Sequence, residues 1–405
     1  MFKKVLFLET RQNFVWTSMQ EILPQISMLW EELSQSENFE LKKVNVDDFD
    51  RVDFKVLFDC DYIVCSAFNL NSVGFLKTMR AKMGIRVPMA FYLHGLATVG
   101  LWPIAEFGLW PLLLDNDIFM GTCEGDINCL NLLGIQNSFK TLFSSDENLI
   151  QLPPLEGGEI KDILYIGRLS HQKNLETLID AFNTLSREDK SLKLHIYGEE
   201  DHLDSPNLGL KRTGYLKELK GRASSGIHFH GFVQREKIKE QWREKNFLFC
   251  SPSLHSDENF GMAALMALEI GGRLLLSDWG GHQNYKKMVP NRVETVQVMG
   301  DETGVYLDPL TFTSQLRKSL KGEVQGATKS PFHRALIARE LFGGLQQFLG
   351  SSSEMPKGVP ELTKKLCEKR RLFVSENSDY QQRVFSSKKD PDYQAFFRAY
   401  GCQFN

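Results

Sequence analysis

Two cations on one short stretch, Arg168 and Lys173, sit in the run Ile166-Gly167-Arg168-Leu169-Ser170-His171-Gln172-Lys173-Asn174, between a strand-like apolar segment and a segment of helical periodicity. A guanidinium makes a two-pronged contact and an ammonium supplies a point charge, so the two can converge on one anion, of which a diphosphate is the natural example. Gly167 lets the backbone approach such a ligand closely, and Asn174 tolerates a left-handed turn before the helix. Taken alone, the motif fits a solvated loop with two surface cations equally well. A second chemical stretch runs from Ser251 to Gly281. It follows the apolar segment Asn246 to Cys250, passes through a turn crowded with Ser, His, Asp and Glu, and enters an Ala/Leu/Met helix just after Gly261 that ends at Gly271-Gly272. Helix starts beyond the carboxyl ends of parallel strands offer unpaired N–H groups and a positive dipole end, so this stretch also asks for an anionic ligand.

The elements that must position these loops alternate along the chain. Lys4 to Leu8 reads as a strand and Ser18 to Leu33 as a helix. Leu41 to Val46, Tyr62 to Cys65 and Val87 to Leu93 follow as strands, with a helix at Leu76 to Met83, and Asp117 to Met120 precedes a helix at Asp126 to Leu133. Such alternation implies a parallel sheet with crossover helices. Periodicity stops at Gln151 to Gly158, where paired Pro meets paired Gly, and this reads as a linker. Beyond it strands at Ile163–Ile166, Leu192–Tyr197, Ile227–Phe229, Phe247–Cys250 and Leu274–Ser277 alternate with helices at Leu175–Leu185 and Lys237–Arg243. The expected fold is α/β: two doubly wound Rossmann-like domains facing a cleft, spanning residues 1–150 and 159–330, with bracing helices packed across both over 331–405.

Composition narrows the classes further. At 405 residues with 42% hydrophobic content, the chain exceeds one ordinary core and supplies enough apolar surface for two. A net charge of −3 gives no bulk attraction for nucleic acid. The seven Cys are odd in number, scattered and without ligand spacing, which reads as reduced core thiols. The short apolar run before Glu9 and Arg11 does not resemble a signal peptide, and the longest candidate span, Val99 to Leu114, is broken by Pro103, Glu106 and Pro111. A cytoplasmic location is expected. His255 and His282 read as polar loop residues, with no third ligand spaced to join them in a metal site.

The ordered series of motifs from Ile163 to Leu307 resembles the retaining glycosyltransferases of the GT-B fold, the large family four or glycosyl transferases group 1. Gly167-Arg168-Leu169, a short gap, Lys173 and the helix Leu175 to Phe182 are similar to one family element, and Leu194 to Gly198 to its strand ending in Gly. Ile227 to Val233 resembles its V-x-F-x-G-x-V element, while Ser251-Pro252-Ser253 with Glu258-Asn259-Phe260-Gly261 resembles its P-S … E-G-F-G signature. Gly271 and Gly280-Gly281 fall where the family places glycines. The N-terminal half matches only in architecture and in His94.

What the resemblance implies is specific. Arg168 and Lys173 would grip the donor diphosphate and neutralise charge developing on the leaving nucleotide. Glu258 would accept hydrogen bonds from the donor sugar, with His94 facing that sugar from the N-terminal domain. Gly167 and Gly198 would admit the donor, the amides near Asn259, Phe260, Gly261 and Met262 would cap its phosphate, and the base would rest against backbone at Phe232 and Val233. The donor would be a nucleotide-diphosphate sugar, with no cofactor and no metal, and the acceptor a sugar, glycan or lipid-linked molecule, as in polysaccharide biosynthesis.

Two positions depart from the pattern. The family's second glutamate, which binds the ribose, is Met266 here, and a thioether is a poor acceptor. Glu269 lies one turn deeper, about 4.5 Å farther along the axis. The first loop, Glu9-Thr10-Arg11-Gln12-Asn13, lacks the usual glycine pair, leaving Arg11 to contact the phosphates. These departures keep open a degenerate GT-B protein that binds a sugar nucleotide or a partner without turnover. On the acceptor side, Gly-Leu-Trp-Pro occurs twice, placing Trp102 and Trp110 in an apolar segment that reads as a buried helix pair, a sugar-stacking surface or a peripheral membrane contact at the inner face. Lys77, Arg80, Lys82 and Arg86 read as a solvated cationic helix or as attraction to anionic lipid.

Overall fold

The computed structural model describes residues 3–10, 17–51, 54–67, 70–94, 101–145, 147–155, 157–200, 214–254, 258–301, 304–348, 354–365, 367–368 and 391–404. The chain divides into two compact units, residues 1–148 with 332–369 and residues 149–331 with 370–405.

The first unit is built on six strands, β1 (Lys4–Glu9), β2 (Glu40–Asn45), β3 (Tyr62–Cys65), β4 (Met89–Tyr92), β5 (Ile118–Gly121) and β6 (Ser138–Lys140). They pair in the order β2-β1-β3-β4-β5-β6, all parallel. β3, β4 and β5 are buried at every position, as strands covered on both faces must be, which is why they read as unbroken apolar runs. The helix Thr17–Glu37 anchors Trp30 in this core, where its Nε1 donates to Tyr92 Oη at 2.9 Å, and it packs against the helix Arg334–Phe348.

Arg80 is removed from the cationic set read on its helix, while Lys77, Lys82 and Arg86 are exposed. The helix Leu70–Lys77 passes into a π-helical turn, Thr78–Lys82, that turns Arg80 inward. Its guanidinium meets Asp117 in a two-pronged pair at 2.5 and 2.6 Å, and both side chains are fully buried. The same guanidinium donates to the carbonyls of Leu112 and Val87, while Asp117 accepts from the amides of Met89 and Leu114. The pair fastens the π-helical turn to the start of β4 and the residues before β5.

In the second unit, β7 (Gln151–Leu152) and β8 (Gly158–Glu159) are short ribbon strands, pairing antiparallel with Thr328–Lys329 and Lys321–Gly322 respectively. Leu152 and Leu155 are buried, so the Pro/Gly-rich stretch read as a linker is held against residues 321–329 of the same unit. The main sheet comprises β9 (Asp162–Ile166), β10 (Lys193–Tyr197), β11 (Ile227–Gly231), β12 (Phe247–Ser251), β13 (Arg273–Asp278), β14 (Val293–Asp301) and β15 (Gly304–Leu307), in the order β11-β10-β9-β12-β13-β14-β15. All neighbours are parallel except β14 with β15. β9 thus sits centrally, with β10 on one side and β12 on the other. This strand reversal creates the switch point at which open α/β sheets bind ligands.

The C-terminal segments are divided between the units. The helix Pro391–Ala399 and the strand Gln403–Phe404, which pairs parallel with β14, lie in the second unit, with Phe397 and Tyr400 packed on Trp279. The helix Arg334–Phe348 lies in the first, where Phe348 stacks on Phe139 at 6.0 Å. Among the described residues no helix is long and apolar enough to cross a membrane.

Candidate functional site

The loop after β9 is shaped by close backbone approach. A Cβ on Gly198 would lie 1.8 Å from the Gly167 carbonyl oxygen, so glycine is required where the ends of β9 and β10 meet. Gly167 donates to Tyr197 O at 3.0 Å, and Leu169 to Glu199 O at 2.8 Å. Tyr165 Oη donates to the Arg168 carbonyl at 2.8 Å, setting the backbone of that cation. A 3-10 turn, His171–Lys173, ends on Asn174 with φ 53°, the left-handed conformation that asparagine tolerates. Beside the turn, His171 Nδ1 lies 2.5 Å from Glu176 Oε1, and Tyr215 Oη donates to Glu176 Oε2 at 2.5 Å.

The loop after β12 meets this turn from the neighbouring strand. Leu254 N donates to Gln172 O at 2.8 Å, and the Lys173 ammonium pairs with Glu258 Oε2. Those side chains are 16% and 9% exposed, so the pair lies at the edge of the interior. Burial works to raise the Glu258 pKa, but the Lys173 charge, His282 and the hydrogen bonds from Lys173 and Ser253 outweigh it and hold the carboxyl well below the usual carboxylate range.

The glycine pair has a geometric task. Gly281 N donates to Glu258 O at 2.7 Å, and Cβ atoms at Gly280 and Gly281 would fall 2.4 Å from Glu258 O and 2.3 Å from Asn259 O. Only glycines let the two backbones press together here. Gly261, at φ +83°, then turns the chain into the helix Met262–Glu269, where Ala264 N and Leu265 N donate back to Gly261 O. Tyr285 Oη also donates to that carbonyl at 3.0 Å, and the Phe260 ring lies 5.8 Å from Tyr285. The helix start thus opens beside Glu258 and Lys173, where its first amides favour a negative group.

His282, which the sequence suggested was a loop residue, is the first residue of the helix His282–Met288 and is 1% exposed. Its Nε2 lies 3.8 Å from Glu258 Oε1 and its Nδ1 lies 3.1 Å from Ser277 Oγ. Burial lowers its pKa, opposed by the nearby Glu258 charge. The signal that could have found it is its position directly after the two constrained glycines.

The other expected site residues divide clearly. Phe232 is 56% exposed and Val233 half-buried, just beyond the end of β11. Met262 and Met266 are buried, and Glu269 is held by Lys239 at 3.0 Å and Arg235 at 3.4 Å. Glu269 is therefore committed to the helix Arg235–Trp242. In the first unit, the His94 ring stacks between Tyr92 and Phe143 with Nε2 2.9 Å from Ser66 O, and burial lowers its pKa. Trp110 corrects the stacking-surface reading: it is 5% exposed and its Nε1 donates to Pro356 O at 3.0 Å, so its ring is packed inside the unit. Trp102 begins a short helix, Trp102–Glu106, but its side chain lies outside the described residues, as do Arg11 and His255. All seven cysteines are thiols outside any disulfide, six of them buried.

The second unit is thus a parallel α/β unit with a cationic loop and a carboxylate loop at adjacent strand ends. Residues 152–291 match the family model of glycosyl transferases group 1, so the resemblance read from the motifs holds over that stretch. The chain is 30% identical over 130 residues to a mannosylfructose-phosphate synthase of Agrobacterium fabrum, a match spanning 31% of this chain and 27% of that enzyme. Among solved structures it is similar to the lipopolysaccharide outer core galactosyltransferase WaaB (TM-score 0.52, 17% identity, covering 91% of this chain and 99% of that one). It is also similar to Anabaena Alr3699/HepE, crystallised with UDP and glucose (TM-score 0.50, 13% identity, covering 93% and 100%). These likenesses establish the fold class: two Rossmann-like units, as in GT-B glycosyltransferases.

Proposed function

We propose that the protein is a retaining glycosyltransferase that moves a hexosyl group from a nucleotide-diphosphate sugar to a hydroxyl acceptor. The observation that carries this reading is the Lys173–Glu258 pair beside the Gly261 helix start, on the same pair of strand ends as Arg168. Diphosphate binding would draw Lys173 and Arg168 onto phosphate oxygens, and Glu258 would accept from a sugar hydroxyl. Charge building on the leaving phosphate is then met by cations already in place, which is where electrostatic stabilisation lowers the barrier. The leaving phosphate, on the face where the acceptor hydroxyl arrives, takes its proton, and the anomeric configuration is retained. The acceptor is a sugar, glycan or lipid-linked alcohol received by the N-terminal unit.

The test is a panel of uridine, guanosine and adenosine diphosphates and their sugars, scored by binding and by release of free nucleotide. The UDP in the Anabaena structure puts uridine first. Arg168→Ala and Lys173→Ala should each abolish release, and a wild-type protein that neither binds nor releases any of these nucleotides would defeat the reading. A second reading, sugar-nucleotide binding without turnover, is favoured by Met266 being buried and Glu269 being engaged by Lys239 and Arg235. It predicts binding in the panel with no release in the presence of any acceptor.

A further inference from the structure

The hydrogen bonds around His282 fix which of its nitrogens carries a proton. Ser277 Oγ lies 2.5 Å from the Ser253 carbonyl oxygen, which has no hydrogen to give, so the single Ser277 hydroxyl proton is donated there. His282 Nδ1, 3.1 Å from the same Oγ, must then be the donor. The neutral imidazole is consequently protonated at Nδ1, and its Nε2 lone pair faces Glu258 Oε1 at 3.8 Å. Two acceptors confront one another across that gap. They tolerate each other because Lys173 neutralises the carboxylate from its other oxygen.

The remaining groups that face this pair leave the next step to His282. Tyr165 on β9 and Tyr285 on the helix His282–Met288 both feel the Glu258 charge, and burial followed by that charge raises both phenols far above neutral pH, so they stay uncharged. Ser253 adds a hydrogen bond to Glu258 but no charge. Lys173 is the cation that compensates a carboxylate 9% exposed, and it is also the residue placed to bind phosphate. When Lys173 turns to a phosphate, Glu258 is left as a buried charge with its compensation removed.

We propose that His282 is a positioning residue that takes a proton from solvent at Nε2 when a diphosphate draws Lys173 away, replacing the ammonium as the charge partner of Glu258. The inference rests on the donor-site reading above. It makes nucleotide binding an exchange of ion pairs: Lys173–Glu258 becomes Lys173–phosphate plus imidazolium–Glu258, with one proton taken up. The bonded chain from Ser253 through Ser277 to Nδ1 keeps the imidazole oriented throughout, so the carboxylate stays aimed for a sugar hydroxyl.

Isothermal calorimetry of uridine, guanosine and adenosine diphosphates, in buffers of differing ionisation enthalpy at about pH 7.5, counts protons taken up on binding. Wild type should take up about one proton more than His282→Gln, the difference cancelling protonation of the nucleotide itself. Glu258→Gln, which removes the charge that demands the proton, should lose the uptake too. A wild-type excess over His282→Gln below about half a proton overturns the inference, as does a Glu258→Gln protein that keeps the wild-type uptake. If His282→Gln does not fold, the Glu258→Gln comparison decides alone. Heat without that excess defeats this proposal only, whereas no heat with any of the three nucleotides defeats it together with the donor-site reading.

Discussion

Each unit contains a buried ion pair, and the two are built differently. Arg80–Asp117 is fully buried, and four further hydrogen bonds to backbone close around it. Lys173–Glu258 keeps its side chains 16% and 9% exposed and borders a histidine and a helix start. In the first pair both terminal nitrogens of the guanidinium and both carboxylate oxygens bond to the fold around them. The second holds a carboxylate ready and a cation that can be called away. Burial of an ion pair therefore does not distinguish structure from function; what its atoms do beyond the pair does.

The strongest way to break this contrast is at Arg80. Arg80→Ala strands the Asp117 carboxylate in the core and should cost about 3–5 kcal/mol, enough to remove most of the stability of the first unit in a denaturant titration. Lys173→Met should weaken diphosphate binding by about 10- to 100-fold while lowering the unfolding midpoint less than Arg80→Ala does, because the Glu258 it uncovers keeps the Ser253 hydrogen bond and an edge to solvent. Equal destabilisation by the two would erase the distinction. The smallest effect is in acid. Because the folded pKa of Glu258 is depressed below 4.5, its contribution is fully present above that value and fades as pH falls through the folded pKa. The stability advantage of wild type over Glu258→Gln should accordingly be constant near neutrality and shrink below pH 4.5, as thermal melts across pH would record.

The fold was legible wherever burial on both faces writes itself as an apolar run. Tyr62–Cys65 and Phe247–Ser251 carry that signature, and the parallel order followed from the helices between them. β14 carries no such run: Val293, Val296 and Val298 are buried with less buried residues between them, the alternation of a half-covered strand. In the candidate site, Arg168, Lys173, Glu258 and the glycines stood out because charge and backbone freedom are local properties. His282 did not, since its meaning comes from Ser277 and Glu258, which only tertiary structure brings beside it. Arg80 misleads for the same reason, since a guanidinium looks available until Asp117 is in view, whereas Trp110 follows the buried reading of its segment, with its indole N–H on the Pro356 carbonyl.

Tyr400 gives the site a place in time. Its carbonyl accepts from Gly280 N at 2.9 Å, and its ring lies 3.0 Å from where a Cβ on Gly280 would be, so it backs the glycines that press on Glu258. A chain made from its N-terminus has Lys173 and Glu258 long before it has Tyr400. The cation loop and the carboxylate loop can form on the ribosome, but the support behind the second arrives only with residues 391–404. Finishing the site thus waits on a segment well downstream of both loops, and a nascent chain has the site's charges before it has the backing that aims them.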